Sequence, residues 1–223
     1  MSELRAYVAQ NSVGAAGDNT WVAAKANRMG ALVVIDFFTQ MALEGRAFQV
    51  RAGTVATGLA ADNVLTDTAA QMCVDAVSGN TIIPVGIRLG LRDVATATTL
   101  QAAMKAVGVV SSAGTAFTPL PLFQGGTASS ATARVATDGG VTVTAETAAT
   151  TRRLWEFEAL QTQSATVLAV GALGTIAAQG YRPIVPYIGA GPACVYVQIA
   201  STTAATLHFG ALDFVELPTA SVD

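Results

Sequence analysis

A single histidine, two cysteines, two lysines and an aromatic content of 6% limit the chemistry open to this 223-residue chain. With His208 alone, no histidine pair can form, and with it goes any His-based metal centre. A Ser-His-Asp arrangement needs a marked nucleophile turn, and no G-x-S-x-G stands in the sequence. His208 falls inside a strand-like run and reads as a satisfied or exposed sheet residue. Cys73 and Cys194 lie far apart and match no metal or redox spacing. They read as small buried thiols, with a structural disulfide as the alternative. Lysine occurs only at positions 25 and 105, Arg152-Arg153 is the one adjacent basic pair, and the net charge is -3. Nucleic-acid binding needs a basic patch to neutralise phosphates, so no nucleic-acid partner is expected.

Long apolar runs are missing too. A spanning helix needs about 20 predominantly apolar residues. The longest candidate, Ala165–Ala178, is shorter and is broken by Gly171, Gly174 and Thr175. Outer-membrane barrels expect aromatic girdles, and the aromatics here are few and unevenly spaced. The start, MSELRAYVAQ, has no basic residues leading into an apolar stretch, so no secretory signal is expected. Neither a membrane nor a cofactor is predicted as a partner.

What the chain does have is Ala, Val, Thr and Gly. Charged residues make up 12%, about half the usual share, and mean hydropathy is +0.48. A chain outside the membrane with that balance hides outer surface against copies of itself or a partner.

Period-two alternation between turn signals dominates. Ile83, Val85, Ile87, Leu89 and Leu91 share one face, with Arg88 and Arg92 on the other, and Ser78-Gly79-Asn80 turns the chain before them. Val195, Val197 and Ile199 alternate with Cys194, Tyr196 and Gln198, and Trp155 and Phe157 with Glu156 and Glu158. Further strands are expected at Phe48–Thr57, Gln71–Val77, Phe117–Gln124, Thr166–Leu173 and Leu207–Leu217. In Ala131–Thr147 a three-residue turn would set Val135 opposite Val143 and Arg134 opposite Thr144, keeping the faces unmixed. In the last strand, a bulge at Gly210-Ala211 would bring Leu207, Phe209, Leu212 and Phe214 to one face; otherwise that strand is buried on both sides, between the core and a neighbouring subunit. Two short helices are predicted, one from Asp36 through Phe37, Phe38 and Met41 to Gly45, the other over Leu100–Val107 behind Thr98 or Thr99 and stopped by Gly108. Residues 1–30 read as an irregular arm or lead-in anchored by Trp21, and 31–223 as one β domain. The fold class is all-β, an antiparallel jelly-roll-like sandwich.

The remaining polar groups do not converge. Glu156 and Glu158 share a strand face but sit on one element, unlike a glycosidase pair; Arg152 and Arg153 offer them charge partners. Asp62, Asp67 and Asp75 lack Ca²⁺-loop spacing. Gly125-Gly126 and Gly139-Gly140 are not followed by Lys or a helix start. Arg182-Pro183-Ile184-Val185-Pro186 reads as a Pro-marked edge strand rather than a peptide ligand. No catalytic, cofactor-binding or metal-ligating residue is assigned, and the chain is expected not to be an enzyme.

The stretch YRPIVPYIGAGPACVYVQIASTTAATLHFGALDFVEL (Tyr181–Leu217) resembles the C-terminal part of tailed-phage virion structural proteins: a Pro-flanked apolar strand, a Gly turn, a V-x-V-x-I strand and a closing strand of the F/V-x-F kind. The region from Phe48 through TIIPVGIRLGL is similar in order and spacing. The resemblance implies a jelly-roll capsid decoration, or cement, protein. It further implies a homo-oligomer, commonly a trimer, bound to the major capsid protein on the virion surface after synthesis in the host cytoplasm. A single-jelly-roll major capsid protein and a receptor- or carbohydrate-binding head, which would use Trp21 or Trp155, are the alternatives.

Overall fold

The computed structural model describes residues 5–8, 20–23, 36–54, 56–62, 65, 68–93, 98–136, 140–161, 187–201 and 207–221. The strand expected at 166–173 and the Pro-marked stretch 182–186 lie outside them. In the N-terminal segment β1 (Arg5–Val8) and β2 (Thr20–Ala23) pair antiparallel, so this lead-in is not wholly irregular.

Helix α1 (Phe37–Leu43) begins and ends where the sequence predicts. The Asp36 carboxylate accepts from the Thr39 backbone at 3.0 Å and from its hydroxyl, and both bonds hold its pKa below the ordinary value. At the other end Gly45 takes φ 72°, Gly45 N–H donates to Ala42 and Arg46 N–H to Met41, a Schellman closure.

The strands follow: β3 (Ala47–Ala52), β4 (Leu59–Ala60), β5 (Ala69–Ala70), β6 (Met72–Ala76), β7 (Asn80–Asp93), β8 (Thr98–Val107), β9 (Ser112–Ala113), β10 (Thr115–Phe117), β11 (Leu120–Pro121), β12 (Thr132–Val135), β13 (Val141–Thr142), β14 (Arg152–Gln161), β15 (Gly189–Ala190), β16 (Ala193–Ser201) and β17 (Leu207–Pro218). One sheet runs β10-β12-β6-β16-β8-β14 and the other β11-β3-β17-β7-β15, with β4 also on β17. All strand pairs in both are antiparallel. Consecutive strands β6, β7 and β8 alternate between the sheets, as do β16 and β17, so the chain winds a β-sandwich.

Between the sheets lies the main core. Val74, Met104, Val197 and Ile199 from the first sheet meet Val50, Ile87, Leu212 and Phe214 from the second. Phe48 and Phe214 stack with centroids 5.7 Å apart. Each sheet is also covered outside. Met41 of α1 packs on Ala47, Ile83, Val215 and Leu217. The three-stranded sheet β5-β13-β9 covers the other, where Ala70, Val141 and Val143 bury Cys73, Cys194 and Tyr196.

The structure departs from several of these expectations. Leu100–Val107 is strand β8, not a helix. Leu100, Ala102, Met104 and Ala106 alternate into the core, while Lys105 and Val107 point outward. Burial between β16 and β14 overrides the helical bias of its alanines. The Ala131–Thr147 hairpin does not form. β12 pairs with β6 and β10, β13 with β5 and β9, because Ala131 and Ala133 belong to the main core and Val141 and Val143 to the outer cluster. The irregularities along the last strand sit on its partner: between Leu207 and His208 the pairing jumps from Asp93 to Leu91, and between Asp213 and Phe214 it jumps from Gly86 to Pro84, leaving Val85 extra. That extra residue splits the predicted single face of β7. Ile83 and Val85 face α1, and Ile87 and Leu89 face the core. Finally, Phe117–Gln124 is two short strands in different sheets, and β17 owes its second buried face to α1.

One close approach ties the start of β16 to the end of β6. A Cβ on Gly191 would lie 2.0 Å from the Val77 carbonyl oxygen. Gly191→Ala is expected to cost about 1–3 kcal/mol, read as a lower urea midpoint; an unchanged midpoint would contradict this packing.

Candidate functional site

The outer face of the α1-covered sheet follows from register. In β3, Phe48 and Val50 point into the core, so Ala47, Gln49 and Arg51 point out. Leu120 stands opposite Gln49, and Leu122 N–H donates to the Ala47 carbonyl at 2.9 Å, so both leucines continue the outward row. They are 58% and 40% exposed, and the adjacent Phe123 is 48% exposed. On the same face α1 buries Met41 while leaving Phe37 and Leu43 in solvent. Beside these apolar groups runs a polar ladder across three strands: Gln49 Nε2 donates to Asp213 at 2.6 Å, Arg88 Nη2 to Asp213 at 2.9 Å, and Arg51 Nε to Gln49. Arg88 is largely exposed, so its ion pair contributes about 0–1 kcal/mol. The face is an apolar stripe flanked by charge.

The opposite outer face carries buried polar rows. Arg134, Cys73, Tyr196, Lys105 and Arg153 stand side by side on five neighbouring strands. Lys105 Nζ donates to Glu146 at 2.5 Å, and Arg153 Nη2 lies 2.5 Å from the other carboxylate oxygen. The Lys105 hydrogen bond, then that of Arg153, hold the Glu146 carboxyl below its ordinary value against the opposing effect of burial. In the next row Asp75 faces Cys194. Asp75 accepts from Ser111 N–H at 2.8 Å and Ser111 Oγ at 2.6 Å, with Arg134 Nε 3.6 Å away. Cys73 Sγ lies 3.0 Å from the same Ser111 hydroxyl. Both thiols are free and buried, as the sequence suggests. A hydrogen bond with Cys73, then burial, push the Cys194 thiol well above its ordinary value.

The structure does not bring the other sequence candidates together. Glu156 pairs with Arg153 at 3.2 Å and Glu158 accepts from Gln101 at 3.2 Å, both on the surface. Trp155 stacks on Phe157 at 6.0 Å and packs against the main core, so it offers no free aromatic platform. The side chain of Trp21 lies outside the described residues. His208 differs from expectation: it is 1% exposed, and neither ring nitrogen has a hydrogen-bond partner. It shares strand parity with Leu212 and Phe214, which turns it inward, and burial lowers its pKa from 6.5 to about 4. Glu216, which accepts from Ser129 Oγ at 2.5 Å and Ser130 N–H at 3.2 Å, carried no signal in the sequence. For Lys105 a signal existed, a lone charge inside an apolar alternating run.

Compared with family models, characterised proteins and solved structures, the chain matches none of them. Among the described residues no helix is long and apolar enough to cross a membrane.

Proposed function

We propose that this protein is a structural subunit that works by self-assembly, a virion capsid decoration protein acting as a homo-oligomer, most simply a trimer, on the major capsid protein. The observation that carries the assembly half is the outward pair Leu120 and Leu122, with exposed Phe123 beside them, on the face that also exposes Phe37 and Leu43. Folded monomers rarely leave large apolar patches in water. A closed symmetric oligomer buries such a patch against its own copies, and many identical contacts on a lattice add through avidity. The virion half is supported by the resemblance of Tyr181–Leu217.

Sizing of the recombinant chain tests the first half. The wild type is expected to run as a trimer at micromolar concentration, and Leu120→Asp with Leu122→Asp as a monomer with unchanged circular dichroism. A monomeric wild type would overturn the assembly reading. Closure of the purified chain into shells by itself would replace the decoration role with that of a major capsid protein.

A further inference from the structure

We infer that Cys73, Asp75 and Cys194 form a structural site for a thiophilic divalent cation, zinc or its analogues, with Ser111 Oγ as the fourth donor. The three ligand atoms lie within 4.8 Å of one another, all buried. They come from two paired strands: Cys73 and Asp75 are on one face of β6, and Cys194 of β16 stands directly opposite Asp75. Ser111, from the segment before β9, closes over them and already touches two of the three, at 3.0 Å from Cys73 Sγ and 2.6 Å from Asp75. Zn–S bonds of about 2.3 Å and Zn–O bonds of about 2.0–2.2 Å need the Cys73, Asp75 and Cys194 ligand atoms to draw together modestly, and Ser111 Oγ to give up its hydrogen bond to Asp75 and move outward onto the metal. Two sulfurs select a thiophilic ion over magnesium or calcium, which take oxygen ligands.

Charge decides that this buried place tolerates a cation. Without metal the group holds two neutral thiols, the Asp75 carboxylate and the Arg134 guanidinium, and sums to zero. Binding exchanges two thiol protons for one M²⁺: both Cys Sγ–H bonds break, two Sγ–metal bonds form, and two protons leave to solvent. The sum stays zero, so no net charge is added to the interior. Arg134, 3.6 Å from Asp75, offsets the third negative ligand, and the Ser111 N–H bond to Asp75 holds the carboxylate in place. Because Ala70, Val141 and Val143 cover the site, loading accompanies folding rather than following it. The inference is independent of the assembly reading.

The test uses the full chain expressed in zinc- and in cobalt-supplemented medium. About one ion per chain is expected, with thiolate-to-cobalt charge-transfer absorption in the cobalt preparation. Cys73→Ser and Cys194→Ser should each lower bound metal by at least about tenfold. Metal-free wild-type protein from both media, with both thiols free on denaturation, would overturn the site, as would metal content unchanged in both variants. Where a cysteine variant does not fold, the wild-type cobalt spectrum decides: the charge-transfer band supports the site and its absence overturns it.

Discussion

Val197→Asp is expected to leave no soluble folded protein. Val197 is fully buried at the centre of β16, with Met72 of β6 on one side and Met104 of β8 on the other, both fully buried and in the same core. A carboxylate placed there stands between two methionines on the neighbouring strands, neither of which offers a cation or a hydrogen-bond donor. Leaving a charge unpaired inside costs several kcal/mol, on top of about 1.5–3 kcal/mol of lost apolar burial. Domains of this kind have only about 5–15 kcal/mol in total. The soluble fraction and far-ultraviolet circular dichroism of the expressed variant measure the outcome, with Val197→Ala, which removes methyl groups without adding charge, as the folded control. Native-like spectra from the aspartate variant would mean that β16 is not the central strand.

That strand was also the most legible part of the sequence. Val195, Val197 and Ile199 alternate without interruption, and nothing local competes with the pattern. Helix α1 was legible because Asp36 and Gly45 mark its ends chemically as well as by period. Elsewhere local rules met tertiary ones. Leu100–Val107 carries alanines that suit a helix, and only the strands on either side make it β8. Val135 and Val143 fit an ideal hairpin, yet each belongs to a different buried layer, a fact no local register contains. The bulge lies in β7 rather than β17. β17 keeps its alternation, and apolar residues stand on both its faces because the core buries one and α1 the other, which the strand's own pattern does not distinguish from a bulge. The Cys73, Asp75 and Cys194 cluster was invisible for a simpler reason: its third ligand arrives from a strand far along the chain.

The structure also changes what the composition argues. Low charge and high hydropathy suggested apolar surface awaiting neighbours. Much of that excess is consumed inside the subunit, because α1 covers one sheet and β5-β13-β9 the other, so both faces of the central strands are buried. Composition is therefore weaker support for assembly than it first looked. Leu120, Leu122 and Phe123 become stronger support, because they stay exposed together on one short segment, on the outer face that also exposes Phe37 and Leu43.

Mild acid should destabilise the subunit through one residue. His208 titrates near 4 when folded and near 6.5 when unfolded, because burial with no hydrogen-bond partner disfavours its cation. Between those values the unfolded chain binds more protons than the folded one, so stability rises with pH across the interval. It is fully present above about pH 6.5 and is lost as pH falls toward about 4. Each pH unit corresponds to about 1.36 kcal/mol, so the interval removes about 3 kcal/mol. Urea unfolding at a series of pH values measures this slope directly. His208→Leu should flatten it and, by removing two unpaired buried nitrogens, hold the variant above wild type at pH 5. Because His208 is the only histidine, no second imidazole shares the interval. Glu146 acts lower: its depressed pKa keeps its stabilisation intact above the ordinary value of 4.5 and surrenders it only as pH falls further. The variant should therefore run flat down to that range and then fall with wild type. Parallel curves for the two proteins from neutral pH downward would show instead that His208 finds a partner or water in the folded state.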